Sequence, residues 1–257
     1  MEDHIIMERA GGLWTLRLNR PERLNAMSKR FLELFDSEIN SFLTDRKARV
    51  LLITGTGRAF CAGVDVGELE PPDPARTLAN MRKCHSRIKA MRASGKLIVT
   101  GVNGLAVGGG FGLAMLGDVI LASENAYFKG GFLSIGIAAD YGLGFTLPRA
   151  VGSARAAEIL LSDRRVQAAE ALDMGMVGRV IPVNGFTEDV RAFSARLAEL
   201  PFGAQLMKRQ LRFGEKEELE RFLDFEAQCQ IECFQSRDYL EGINAFMDKR
   251  SPRFTNA

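Results

Sequence analysis

Two short stretches of this 257-residue chain hold chemistry in their backbone rather than in their side chains. The first is Gly108-Gly109-Gly110, which continues as Phe111-Gly112-Leu113-Ala114-Met115-Leu116 and reads as a tight turn feeding a buried helix. The opening turn of a helix has N–H groups without intrahelical partners, and glycine lets a ligand come close to them. Such a turn can hold an anion or polarise a carbonyl. It is neither a G-x-G-x-x-G after a clean strand nor a Walker loop, because no Lys-Ser/Thr follows. Glycines in this pattern also serve tight helix-on-sheet packing, and the run alone leaves both readings open. The second stretch is Phe60-Cys61-Ala62-Gly63-Val64-Asp65-Val66, just beyond an apolar run at 50–53 that reads as a strand buried on both faces. Loops at the C-terminal ends of strands are where α/β proteins place ligands. One backbone donor from each stretch, converging on a single oxygen, would form an oxyanion hole.

The surrounding sequence supplies elements to position these stretches. Residues 4–9 and 13–18 are partly alternating apolar runs split by Ala10-Gly11-Gly12, a β-hairpin pattern that Asn19-Arg20-Pro21-Glu22 ends. Ser28 is placed to cap a helix carrying Phe31, Phe35, Ile39 and Phe42 on one face. The strand at 50–53 ends in Thr54-Gly55-Thr56-Gly57; a loop follows at 58–68, and Pro71, Pro72 and Pro74 bar regular structure beyond it. A helix is predicted over 75–94 with Leu78, Met81, His85 and Ile88 as its apolar stripe, and further buried strands at 98–99 and 119–121. After Leu147-Pro148-Arg149 the pattern is helical almost to the end, with helices predicted at 191–200, 204–212 and 216–234. Strands alternating with helices, then helices alone, predict an α/β core with a C-terminal helical element. The sequence shows no internal repeat.

Composition narrows the function classes. A 46% apolar content supports a sizeable core, and 34 basic against 32 acidic residues leave a net charge of +2, with no global field aimed at nucleic acid or anionic membrane. His4 and His85 are the only histidines, so a His-rich metal site is excluded and any His-dependent triad must use one of them. Cys61, Cys84, Cys229 and Cys233 contain no C-x-x-C pair and read as reduced thiols. The acidic N-terminus lacks an apolar leader, and no apolar run nears the roughly 18–20 residues of a membrane span. The expected location is cytoplasmic.

Several motifs together resemble the crotonase (enoyl-CoA hydratase/isomerase) superfamily. They are Leu18-Asn19-Arg20-Pro21 with Leu24-Asn25-Ala26-Met27, Ala59 to Asp65, Val102-Asn103-Gly104 through Gly108-Gly109-Gly110, Leu147-Pro148-Arg149, and Glu241-Gly242 to Phe246 with Lys249-Arg250. They run in order and at the family's spacing from residue 4 to residue 254. The resemblance implies a crotonase-type spiral of ββα units over 1–200, a C-terminal helical trimerisation region over 201–257, and a homotrimer or dimer of trimers. It implies an acyl-CoA thioester as partner, with coenzyme A part of the substrate and no separate cofactor or metal. Carried over by position, the oxyanion donors fall on the backbone of Val64 and Gly109. The loop 62–66, with Ala62, Asp65 and Val66, would line the adenine and pantetheine. Arg58, and Lys249 of a neighbouring subunit, would meet phosphates; a solvated helix-end charge is the other reading of Lys249. Arg23, Leu24, Ile88, Gly108 and Phe132 complete the implied substrate contacts.

The departures decide the chemistry expected. Hydratases of the family hold a water between two glutamates, and those positions here are Gly112 and Phe132, which move no proton. Asp140, eight residues after Phe132, stands where some enoyl-CoA isomerases keep their acid/base and where 4-chlorobenzoyl-CoA dehalogenase keeps its nucleophile. A lone carboxylate among Ile137, Ala138, Ala139 and Leu143 would have a raised pKa, whereas an Asp before Gly142 also suits a simple turn cap. His85 matches the dehalogenase's water-activating histidine, yet it lies on an apolar stripe where a histidine is commonly a core residue. Val64, Cys84 and Phe132 stand at three places of that enzyme's aryl cage, and only Phe132 is aromatic, which favours an aliphatic or small acyl group.

The segment 74–96 holds seven basic residues and no acid. Such a run would suit an RNA-binding or catalytically silent homologue; without interleaved aromatics it reads as a solvated helix face near an anionic ligand. The expectation is an enoyl-CoA double-bond isomerase with Asp140 as acid/base. A hydrolase or dehalogenase with Asp140 as nucleophile and His85 as base, and a hydratase with another acid/base set, are the alternatives.

Overall fold

Leu13 to Leu18 and Ile5 to Ala10 pair antiparallel across the Gly11-Gly12 turn, forming β1 (Ile5–Ala10) and β2 (Leu13–Leu18). A computed structural model describes residues 3–68, 73–215, 236–248 and 250–255 of the chain. The helix α1 (Lys29–Thr44) starts where Ser28 accepts a hydrogen bond from the Phe31 N–H at 3.0 Å, and it buries Phe31, Phe35, Ile39 and Phe42 as the spacing predicts. Three ββα units follow: β3 (Val50–Gly55), β4 (Ala59–Cys61) and α2 (Pro74–Ala93); β5 (Leu97–Val102), β6 (Leu105–Val107) and α3 (Gly109–Ala114); β7 (Val119–Ser123), β8 (Tyr127–Lys129) and α4 (Leu143–Val151). The first strand of each unit enters a six-stranded sheet, β1-β2-β3-β5-β7-β10, parallel except at the hairpin, with β10 at Arg179–Ile181. The second enters a four-stranded sheet, β4-β6-β8-β9, in which β9 (Arg165–Gln167) runs antiparallel to β8. This is the expected spiral. Its repeat lies in the topology and leaves no trace in the sequence.

Several expectations need correction. The loop predicted at 58–68 contains β4, and Pro74 does not bar the helix but opens it, at a position where its missing N–H would be unpaired anyway. Asp73 caps that helix, accepting from Ala75 N–H at 2.9 Å. The stripe on α2 is displaced: Leu78 is 51% exposed and His85 is exposed, while Cys84, Arg87, Ile88 and Met91 face the body. Only the last turns of α2 pack down, and a buried, ion-paired arginine is invisible to an apolar pattern. The stretch read as continuously helical after residue 148 is interrupted by β9 and β10, each three residues long and too short to show a period. Its helices are α5 (Ser153–Ser162), α6 (Ala168–Asp173), α7 (Phe186–Ala198), α8 (Gly203–Gly214) and α9 (Arg237–Met247). The helix predicted at 216–234, Cys229, Cys233 and Lys249 lie outside the described residues.

Much of the basic run is held by the fold itself. Arg87 and Lys83 pair with Asp36, Arg92 with Glu215, and Lys96 donates to the carbonyls of Phe42 and Asp45. Lys208 on α8 is buried and donates to the carbonyls of Met91 and Lys96 while pairing with Asp118 at 2.8 Å, which fastens α8 to the core.

Two asparagines tie the loops at the C-terminal ends of the parallel strands. Asn25, fully buried and with φ of 57°, accepts from Arg20 N–H at 2.8 Å and donates to the carbonyls of Thr56 and Ala59 at 3.0 and 2.8 Å. Asn103 accepts from Gly55 N–H and donates to Gly57 and Ala59. Truncating Asn25 to alanine strands buried partners, so Asn25→Ala should lower unfolding free energy by about 2–4 kcal/mol, read from urea melts.

Candidate active site

The two glycine-bearing stretches meet at the top of the sheets. A Cβ built on Gly110 would lie 2.2 Å from the Cys61 carbonyl oxygen, so the end of β4 presses directly on the first turn of α3. At that glycine the packing reading of the triplet holds, since any side chain would collide with main chain. Gly63, beside it, would bring a Cβ to 3.3 Å from Gly109 N, which sets the Gly63-Val64 and Gly108-Gly109 segments side by side. Val64 forms an isolated parallel bridge with Met27, through Met27 N–H to Gly63 O and Asp65 N–H to Met27 O. In such a bridge the central residue's own N–H points to the other side. Neither the Val64 nor the Gly109 N–H has an acceptor among the described residues.

Asp140 completes the arrangement from the third unit. A Cβ on Gly109 would stand 3.5 Å from its Oδ1 and 3.3 Å from the Tyr141 ring. That Oδ1 is buried and has no hydrogen-bond partner. Burial pushes the carboxyl up to about 6, against smaller opposing effects from its own backbone N–H and from the charge of nearby His85. The cause of the burial differs from most of the expectation, because Ile137, Ala138 and Ala139 are exposed and only Leu143 of the four is buried. Gly109, Tyr141 and Cys84 desolvate the carboxyl instead. Cys84 is near enough that Asp140's charge, added to burial, pushes its thiol up to about 11, so it stands as a neutral thiol. His85 is exposed above the same carboxylate rather than in the core.

The remaining candidates fall around this centre. Phe132 is buried and its ring edge would lie 4.0 Å from a Cβ on Gly108; Ile88 is buried in the main core cluster. Leu24, with φ of 51°, is half-buried and accepts from Ala62 N–H at 3.0 Å, so these two stitch the loop after β2 to the loop after β4. Arg23, Arg58 and Val66 are exposed at the same end. Asp65 is engaged: Arg20 donates to it at 2.9 Å and holds its carboxyl below the usual range. Arg20, Asn25, Asn103 and Tyr141 carry structural duties here that went unassigned in sequence, although the first three lie inside the recognised motifs. A concavity of about 710 Å³ lies elsewhere, at the N-terminal end of β3, lined by Gly11, Arg46, Arg49 and Phe254 among others, and it touches none of the candidates. Among the described residues no group of three or more His, Cys, Asp and Glu side chains is placed to hold a metal ion, and no helix is long and apolar enough to cross a membrane.

The family profile described as enoyl-CoA hydratase/isomerase matches residues 8–257. The chain belongs to the enoyl-CoA hydratase/isomerase family. Relatives of this family member include the 1,2-epoxyphenylacetyl-CoA isomerase of Escherichia coli K12, 34% identical over 260 residues and 99% of each chain. The 2,3-dehydroadipyl-CoA hydratase of the same organism is 33% identical over 252 residues, 97% of this chain and 98% of its own. The crystal structure of an enoyl-CoA hydratase from Bacillus anthracis superposes with a TM-score of 0.93 at 26% identity, covering 99% of this chain and 100% of that one. The spiral is thus the crotonase fold, and this enoyl-CoA hydratase/isomerase family member is an acyl-CoA-acting enzyme.

Proposed function

We propose that the enzyme is an enoyl-CoA double-bond isomerase, acting on an aliphatic or small acyl group. The observation that supports this most is the bare, buried Oδ1 of Asp140 beside Gly109. In this reading the Val64 and Gly109 N–H groups receive the thioester oxygen. Asp140 removes a proton from C2, the charge moves onto that oxygen, and the protonated carboxyl returns the proton at C4. One base serves both transfers. The two-glutamate route to hydration is closed, because Gly112 and Phe132 stand at both positions and move no proton. Coenzyme A enters as the carrier of the acyl group, with Ala62, Val66, Arg23 and Arg58 along its path. A homotrimer or dimer of trimers would also cover Leu133, Ile135 and Ile137, apolar side chains exposed next to the site.

The working form of Asp140 is the carboxylate, and its carboxyl is pushed up to about 6. The kcat/KM for isomerisation should therefore rise as pH increases through about 6 and level off above it, which a pH–rate profile on the free enzyme reads directly. The reaction itself is tested with 3-enoyl, 2-enoyl, 3-hydroxyacyl and haloaryl CoA thioesters, products being identified by mass spectrometry. Conversion of 3-enoyl to 2-enoyl thioester is expected, with hydration slow or absent. Hydration at about 10–10³ per second would overturn the reading.

A further inference from the structure

We propose that Tyr141 decides between isomerisation and hydration, by filling the space between Asp140 and α3 with a buried ring that leaves water no place. The inference rests on the isomerase reading above. Tyr141 has φ of 49° and Gly142 φ of 70°, and Leu143 N–H closes the turn onto the Asp140 carbonyl at 2.9 Å. A turn with two successive left-handed residues suits Gly, Asn or Asp, and a tyrosine there is strained. The turn itself gains nothing from tyrosine, so the reason for this residue lies in where its side chain goes.

That side chain is 7% exposed and lies along the first turn of α3. A Cβ on Gly109 would meet its Cδ2 and Cε2 at 3.3 and 3.4 Å, and one on Gly112 would come within 2.4 Å of its Cβ. Gly112 thus leaves room for the Cβ from which the Tyr141 ring extends. The hydroxyl is drawn away from the acyl site: Arg87 Nη2 donates to it at 3.5 Å, and the same guanidinium pairs with Asp36 and lies over the Phe35 ring. A buried water needs two to four polar partners. Around Asp140 Oδ1 stand Gly109, the Tyr141 ring and the neutral Cys84 thiol, with exposed His85 on the solvent side, so on the side of α3 the carboxylate faces no polar group that would hold a water.

The competing chemistry is specific. Isomerisation moves a proton from C2 to C4 and leaves the composition unchanged, whereas water attacking C3 of the resulting 2-enoyl thioester adds OH at C3 and a proton at C2. The test compares wild type, Tyr141→Phe, Tyr141→Gly and Tyr141→Asn with 3-enoyl-CoA in H₂¹⁸O, measuring 2-enoyl and ¹⁸O-labelled 3-hydroxyacyl products. Glycine and asparagine both accept the left-handed backbone. The hydrated fraction should rise about tenfold or more in either of them, given what positioned proton transfer to water contributes, and should stay at the wild-type level in Tyr141→Phe. In a second arm, Gly112→Ala should lower the melting temperature in wild type and have little effect in the Tyr141→Gly background, the coupling expected of two groups claiming one space. A folded Tyr141→Gly or Tyr141→Asn enzyme with no more hydrated product than wild type overturns the proposal, and so does additivity in the Gly112 cycle. A wild-type enzyme that hydrates efficiently or fails to isomerise defeats the isomerase reading, and the inference with it.

Discussion

Asp140→Asn should lower isomerisation about 10²–10⁴-fold while acyl-CoA binding survives, because it keeps the side chain's size and removes the base. The same variant has a second, opposite readout. The carboxyl of Asp140 is pushed up from 3.8 to about 6 by burial, so native protein holds its proton where unfolded chain has lost it. Its contribution to stability is fully present below the unfolded value and is lost as pH rises through about 6, at a cost of up to about 3 kcal/mol. Asp140→Asn should therefore melt higher than wild type at pH 8 and close to it at pH 4. His85→Gln separates the reaction classes. Proton transfer between carbons needs no activated water, so its effect should be mild. If Asp140 were a nucleophile with His85 as its water-activating base, His85→Gln would accumulate a covalent acyl- or aryl-Asp140 adduct, visible by mass spectrometry after acid quench. Full activity in both variants would reduce Asp140 to a turn residue.

Gly109→Pro removes one donor and should cost roughly 10²–10³ in turnover. Proline suits the backbone at the first position of a helix, which is where Gly109 stands, although its ring meets Tyr141 and Asp140 and that crowding adds to the loss. Substitution of the Val64 side chain should matter far less, since the group at work there is main chain. A folded Gly109→Pro enzyme with near-wild-type turnover would remove the oxyanion assignment.

The parts of this site were legible in sequence to the extent that their causes are local. Ser28 and the four apolar residues of α1 announce their helix because cap and stripe lie within one element. Arg87 did not announce itself as buried, because its burial depends on Asp36 of another helix. Of the neighbours expected to desolvate Asp140, Ile137, Ala138 and Ala139 are exposed, and the burial comes from Tyr141 together with α2 and α3. The direction of its shift was right and most of the agents wrong. The convergence of the Val64 and Gly109 segments depends on two sheets meeting, which no window of sequence contains; the family resemblance supplied it. Tyr141 was passed over since an aromatic beside a glycine carries no periodic signal, and its strain exists only in three dimensions.

The spiral apportions the site unevenly among its units. The segment from Gly130 to Gly142, between β8 and α4, belongs to neither sheet, and residues 133–139 are exposed. Thioester recognition in the proposed mechanism comes from the backbone of the first two units, where glycines keep side chains out of the way. In the same proposal the reaction is chosen in the third by a connector that bears no ladder bonds. On that division of labour, mutation in the connector would explore new chemistries without loosening the grip on the carrier, and descent with modification would have a ready site on which to act.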